Sequence, residues 1–375
     1  MKSKFPNQIK PNQPNVTQLT NQHTPPQNNT KSPRVLNRGL FSLQLAPHTS
    51  KKLPKMPCFS LTESKNSCHR STFARAGLRS AITDLKDGGT TMHCWVPQSP
   101  NPSKRNLLLI HGLGVNAMWQ FVDLLRHVTP HFNVYVPDLL FFGESSTTRP
   151  DRSESFQAEC VMRVMEAHSV RRLSLLGLSY GGFVGYSLAA KYREAVERVV
   201  ICCAAVCLEE KDILEGVFTI SDLDEAASIL VPQTPQKLRE LIKYTFFKPP
   251  PLGLIPSCLL MDFIEAMYTE HMKEQKELIM AVPKNRKLSD LPKIPQPTLI
   301  IWGEHDQVFP LEFAYKLKGH LGENAELVVI KDAGHAINVQ KPKEYYNHIK
   351  SFLLDMQQPS ANKHQQHSKP LQSLT

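Results

Sequence analysis

The sequence lacks any uninterrupted apolar run near the roughly 18–20 residues that a membrane-spanning helix requires, so it is read as a soluble chain. It also lacks a metal-binding pattern. Its eight cysteines (Cys58, Cys68, Cys94, Cys160, Cys202, Cys203, Cys207 and Cys258) form no C-x-x-C pair and no Cys/His spacing suited to zinc. No metal ligand is therefore predicted. Cys202, Cys203 and Cys207 fall in an apolar run and read as small buried hydrophobes, which fits a reducing compartment. Acidic residues are missing from positions 1–55, which carry nine Lys or Arg. Removing those nine from the net charge of +10 leaves 35 basic against 34 acidic residues. The basic excess belongs to the tail, so the folded part has no electrostatic footprint for nucleic acid. No internal repeat is evident.

What remains is a globular composition: 375 residues, 41% hydrophobic and 21% charged. Residues 1–56 are rich in Asn, Gln, Pro, Thr and Ser and have little to bury, which predicts a disordered basic extension. Its basic, hydroxyl-bearing, acid-free character resembles an organellar transit peptide, although the Asn/Gln/Pro bias is less typical of one. A cytoplasmic location is the primary expectation, with chloroplast or mitochondrion as the alternative. Residues 358–375 are polar and are also expected to be disordered. Between the tails, short apolar runs at 107–110, 134–136, 173–176, 199–202, 298–301 and 327–330 alternate with helical patterns. That rhythm predicts a mostly parallel sheet covered by helices on both faces, built from residues 70–207 and 292–357. Residues 208–291 interrupt it with helical segments and a proline-rich loop, KPPPLGLIPSC, and are expected to form a cap over the sheet.

Four segments carry chemistry, each directly after one of these runs. Gly177-Leu178-Ser179-Tyr180-Gly181-Gly182 stands between a strand and a helix, the setting of a G-x-S-x-G turn that presents a serine nucleophile. His111-Gly112-Leu113-Gly114 follows the first parallel strand. Its position predicts that the main-chain amides of Leu113 and Tyr180 form an oxyanion hole, with His111 structural rather than catalytic. Trp302-Gly303-Glu304-His305-Asp306 places a carboxylate, Asp306, where it could orient a base; Glu304 and His305 read as loop neighbours. Asp332-Ala333-Gly334-His335 supplies that base, His335. The chain order Ser179, Asp306, His335 selects His335 from the fifteen histidines.

With these motifs in place, the region from about Arg75 to Met356 resembles the α/β-hydrolase superfamily. HGLGVNAMWQF, PDLLFFGES, GLSYGGFVGY, IIWGEHDQVFP and DAGHAINVQKP carry the likeness. Within it the chain is similar to plant lid-bearing members that resemble carboxylesterases, monoacylglycerol lipases and meta-cleavage-product hydrolases. The resemblance implies a Ser179–Asp306–His335 triad, an eight-stranded sheet with a helical lid between strands six and seven, and no cofactor. Two departures stand out: Leu178 precedes the serine, and Phe141 replaces the first glycine of the D-x-x-G-x-G-x-S loop. Phe141 and Phe142, together with Met261 and Met267 of the cap, are the expected pocket residues for a hydrophobic substrate. The predicted activity is hydrolysis of a hydrophobic carboxylic ester through an acyl-enzyme. The alternatives are hydrolysis of a carbon–carbon bond in a dienone with the same triad, and a ligand receptor with little turnover. The partner expected is a small-molecule ester.

Overall fold

The computed structural model describes residues 60–354 apart from 216, 217, 219 and 221, so the expected tails at 1–56 and 358–375 lie outside the described residues. The first described element is a helix, α1 (Leu61–Arg75), begun by Ser60, whose hydroxyl accepts from the Glu63 amide at 3.0 Å. Most of its length falls before the expected start of the core at residue 70. It buries only Thr62 and Phe73, so its sequence shows almost no apolar stripe.

The strands form where short apolar runs can be buried on both faces. They are β1 (Leu78–Asp84), β2 (Thr90–Pro97), β3 (Arg105–Ile110), β4 (Phe132–Pro137), β5 (Ser146–Thr147), β6 (Leu173–Leu178), β7 (Val196–Cys202), β8 (Thr298–Gly303) and β9 (Ala325–Ile330). Their order is β1-β2-β4-β3-β6-β7-β8-β9, with β5 paired to β2. From β4 to β9 every pairing is parallel, while β1, β2 and β5 pair antiparallel. Eight strands match the expected sheet. The ninth, β5, is two polar residues long and carries no periodic signal. The innermost strand β6 is buried along its whole length, as a parallel strand covered on both faces must be.

Helices α2 (Ala117–Val128), α3 (Glu154–Ala167) and α4 (Tyr180–Lys191) make the crossovers between β3 and β7. Each of α2 and α3 begins with a side-chain cap, Asn116 on the Trp119 amide and Ser153 on the Phe156 amide. Helix α2 turns Met118, Phe121, Leu124, Leu125 and Val128 to the core. Each such side chain contributes roughly 1.5–3 kcal/mol by leaving water.

Between β7 and β8, the sixth and seventh strands when the short β5 is set aside, no strand occurs among the described residues. Five helices fill the interval: α5 (Glu210–Leu214), α6 (Leu223–Leu230), α7 (Pro235–Thr245), α8 (Ser257–Met267) and α9 (Met272–Ala281). They enclose a small apolar cluster of their own around Ala227, Leu238, Leu260, Ile264, Tyr268 and Ile279. The proline-rich stretch holds one tight turn, Leu252–Leu254, before α8 begins. Helices α10 (Glu312–Leu321), α11 (Ile337–Gln340) and α12 (Pro342–Leu354) complete the layer.

Side-chain hydrogen bonds tie the insertion to the rest, among them those of two side chains in its later helices. Asp262 of α8 accepts from the Thr62 amide and hydroxyl at the start of α1, at 2.8 and 2.7 Å. Gln275 of α9 donates through Nε2 to the Phe141 carbonyl at 2.8 Å.

Candidate active site

Ser179 stands where β6 hands over to α4. Its backbone is in the left-handed region, φ 55° and ψ −123°, which costs a non-glycine residue about 1–3 kcal/mol. Hydrogen bonds from the Ser179 amide to the Cys202 carbonyl and from the Gly182 amide to the Ser179 carbonyl, both 2.8 Å, hold that conformation. The flanking glycines permit it sterically. A Cβ on Gly177 would lie 2.2 Å from the Gly181 carbonyl oxygen, and one on Gly181 would lie 2.2 Å from that of Ile110. Helix α4, strand β6 and the end of β3 thus meet backbone to backbone at the serine.

The loops after β8 and β9 bring the partners. His335 Nε2 lies 2.9 Å from Ser179 Oγ, and His335 Nδ1 lies 2.8 Å from Asp306 Oδ2. The other carboxylate oxygen of Asp306 accepts from the Val308 and Phe309 amides, each at 2.9 Å. With Asp306 accepting at Nδ1, the imidazole presents an acceptor at Nε2 to the serine hydroxyl. All three residues are buried, between 7% and 8% exposed. The buried Cys203 thiol lies within 4.8 Å of the Asp306 and His335 ligand atoms. Burial and the Asp306 charge push it well above the usual thiol range, so it remains a neutral thiol there.

The other expected residues sort by geometry. Leu113 and Tyr180 line the same cavity as Ser179, and neither main-chain amide donates to a protein group among the described residues. His111 is fully buried, with Nδ1 at 2.7 Å from the Gly112 carbonyl and Nε2 accepting from the Leu139 amide at 2.9 Å. Burial lowers its pKa, and both ring nitrogens are engaged by the backbone, so it shapes the loop. Glu304 accepts from the Asp332 amide at 3.1 Å, while His305 stacks on Phe247 with centroids 3.9 Å apart.

Among the described residues, two cavities are lined in part by Ser179. One, of about 120 Å³, lies under α6, α7 and α9 and is lined by Leu113, Tyr180, Phe183, Leu230, Ile279 and Phe309 among others. The second, of about 590 Å³, opens on the His335 side between α1, α2, α7 and α8. The four expected pocket residues line neither. Phe141 sits at φ 74° with its ring under the Arg152 guanidinium, and Phe142 packs on His111. Met261 and Met267 pack against the apolar cluster of the insertion instead. Most residues that do shape the walls were not singled out by sequence, although Leu113 and Tyr180 were, as expected oxyanion donors. Tyr268 lines the larger cavity. Gln340 ties the His335 loop to the insertion, accepting from the Gly334 and Phe247 amides at 2.8 and 3.1 Å. An amide side chain in an ordinary helical pattern gives no signal of that role.

A strand-turn-helix serine, a histidine and a carboxylate on successive strand ends of this sheet define a class, the α/β hydrolases. The alpha/beta hydrolase family model matches residues 107–348, and the chain belongs to that family. Among curated proteins it is similar to monoacylglycerol lipase ABHD6 of Rattus norvegicus, 24% identical over 276 residues, covering 69% of this chain and 78% of the relative. Among solved structures it is similar to a membrane phospholipase A described as a bacterial virulence factor, with TM-score 0.62 and 26% identity, covering 78% of this chain and 90% of that one. It also shares its fold with 2-hydroxy-6-oxo-6-phenylhexa-2,4-dienoate hydrolase of Rhodococcus sp. strain RHA1, with TM-score 0.60 and 19% identity, covering 74% and 98%. The curated relatives include mammalian, amphibian and bacterial proteins, which lend no support to the plant likeness. No helix of the described residues is long and apolar enough to cross a membrane.

Proposed function

We propose that the chain hydrolyses carboxylic esters with an apolar acyl group through Ser179, His335 and Asp306. The observation that carries the reading is the continuous relay from Ser179 Oγ to His335 Nε2 at 2.9 Å and from His335 Nδ1 to Asp306 Oδ2 at 2.8 Å. His335 takes the hydroxyl proton as Ser179 attacks the carbonyl carbon. Asp306 holds the Nδ1–H tautomer and stabilises the imidazolium. The free amides of Leu113 and Tyr180 receive the negative charge that develops on the carbonyl oxygen. When the tetrahedral adduct collapses, His335 returns the proton to the leaving oxygen, and a water activated by the same imidazole then releases the acid. The apolar walls of both cavities favour a hydrophobic substrate, in keeping with the lipase names of the relatives.

The test is Ser179→Ala, assayed on a nitrophenyl ester beside fluorophosphonate labelling of the native chain. Loss of roughly 10³-fold or more in kcat, with labelling confined to Ser179, is the expected result. A Ser179→Ala variant as fast as the native chain removes the mechanism.

A further inference from the structure

The larger cavity is apolar along most of its wall, yet one largely buried residue of that wall has a hydroxyl with no protein partner among the described residues. Tyr268, at the end of α8, is 2% exposed and lines the same cavity as Ser179 and His335. Its main chain is fixed: the amide donates to the Ile264 carbonyl at 2.9 Å, and the carbonyl accepts from Gln233 Nε2 at 3.0 Å. Its ring packs edge-on to Phe263, centroids 6.1 Å apart. The phenol hydroxyl, however, takes part in no hydrogen bond with a protein group among the described residues.

The hydroxyl is aimed at the loop that carries Leu113. Gly114 has φ 95°, and a Cβ built there would lie 3.3 Å from the Tyr268 hydroxyl oxygen. Burial raises the phenol pKa, so the group is a neutral O–H donor across the working pH range. The protein leaves this donor unpaired at the cavity, where a ligand oxygen can accept its hydrogen bond in place of water.

Which half of an ester it meets follows from the proton route. His335 must face the leaving oxygen to return its proton, and His335 lines this cavity but not the smaller one. We propose that Tyr268 is a substrate-contacting residue of the insertion. Its hydroxyl donates to a second oxygen on the alcohol half, selecting esters of hydroxylated or ether-bearing alcohols over those of plain alkyl alcohols. This rests on the ester-hydrolase reading above.

The experiment compares isosteric pairs with one acyl chain: 2-hydroxyethyl against n-propyl octanoate, and 2-methoxyethyl against n-butyl octanoate. The native chain turns over the oxygenated ester of each pair with the higher kcat/KM. In Tyr268→Phe the hydroxyethyl-to-propyl ratio falls about 5–10-fold, the scale of one neutral hydrogen bond, while kcat/KM for the propyl ester stays within about threefold. An unchanged ratio overturns the proposal, and so does an equal loss on both esters, which marks packing or contact with the reacting carbonyl. The native comparison does not depend on the variant folding: oxygenated esters no better than their alkyl isosteres also overturn it. Ser179→Ala run on the same four esters separates the two readings. If it hydrolyses them, the ester-hydrolase reading fails; if it is inactive and the ratios are flat, only the Tyr268 assignment fails.

Discussion

Replacing Gly181 by alanine tests how tightly the serine turn is built. The new methyl carbon would stand 2.2 Å from the Ile110 carbonyl oxygen and 2.5 Å from that of His111. A side-chain carbon essentially never sits closer than 3.0 Å to such an atom, so α4 or the His111–Gly114 loop must retreat by about 1 Å. Both obstacles are backbone, and neither can rotate away. The same shift separates the Tyr180 amide from the Leu113 amide, the two donors assigned to the oxyanion. A misplacement of this size costs on the order of 10²-fold in rate. Gly181→Ala is therefore expected to lower kcat on a nitrophenyl ester by about 10²-fold or more, with KM changed less, since most of the smaller cavity's wall comes from the insertion. Gly185→Ala in the same helix is the control. Its methyl would meet Leu175 Cδ1 at 2.9 Å, the end of a side chain that can turn, so kcat should remain within about threefold. Thermal unfolding of both variants separates rate from stability. A Gly181→Ala enzyme with native kcat and native melting would show that the backbones are not packed as described, and the oxyanion assignment would go with them.

Two further outcomes follow from contacts between insertion and core. Gln275→Leu keeps the volume but removes the 2.8 Å hydrogen bond to the Phe141 carbonyl, leaving that oxygen unpaired beside a residue already at φ 74°. Denaturant unfolding should register a loss of about 1–3 kcal/mol, and a loss below about 0.5 kcal/mol would contradict it. Glu209 accepts from the Leu288 amide at 3.1 Å and pairs with Lys316 and Lys211, which hold its pKa down to about 2. A depressed carboxylate stabilises the fold fully above its unfolded value near 4.5, and that contribution disappears as pH falls toward 2. The melting-temperature gap between the native chain and Glu209→Gln should thus be widest at about pH 6–7 and close toward about pH 3. A gap constant over that range counts against the assignment.

Much of the core was legible because its signals are local. Each parallel strand is a short apolar run ended by a turn, and Ser179, Asp306 and His335 each stand just past such an end. A sheet with parallel strands puts those ends on one side, so chain order alone juxtaposes them. Helix α1 is illegible for the opposite reason. It is held by the Thr62–Asp262 hydrogen bonds and by Asn66 accepting from the Trp119 indole, contacts made across long sequence separations. Its own pattern of charge and hydroxyl residues gives no apolar stripe to read.

The insertion conceals its pocket for a related reason. Its helices span only five to eleven residues, so each offers about one to three turns and several near-equivalent apolar positions. Met261 and Met267 fit a substrate wall and a packing face equally well by composition, and the structure gives them the packing face. What decides is the direction in which α8 is docked, and that depends on Asp262 holding α1. Ring contacts among Trp119, Phe263 and Tyr268 continue the same packing inward. The same docking turns the Tyr268 hydroxyl toward Gly114. A change at α1 that leaves the triad untouched should therefore act on the alcohol half of the substrate before it acts on the rate of the chemical step.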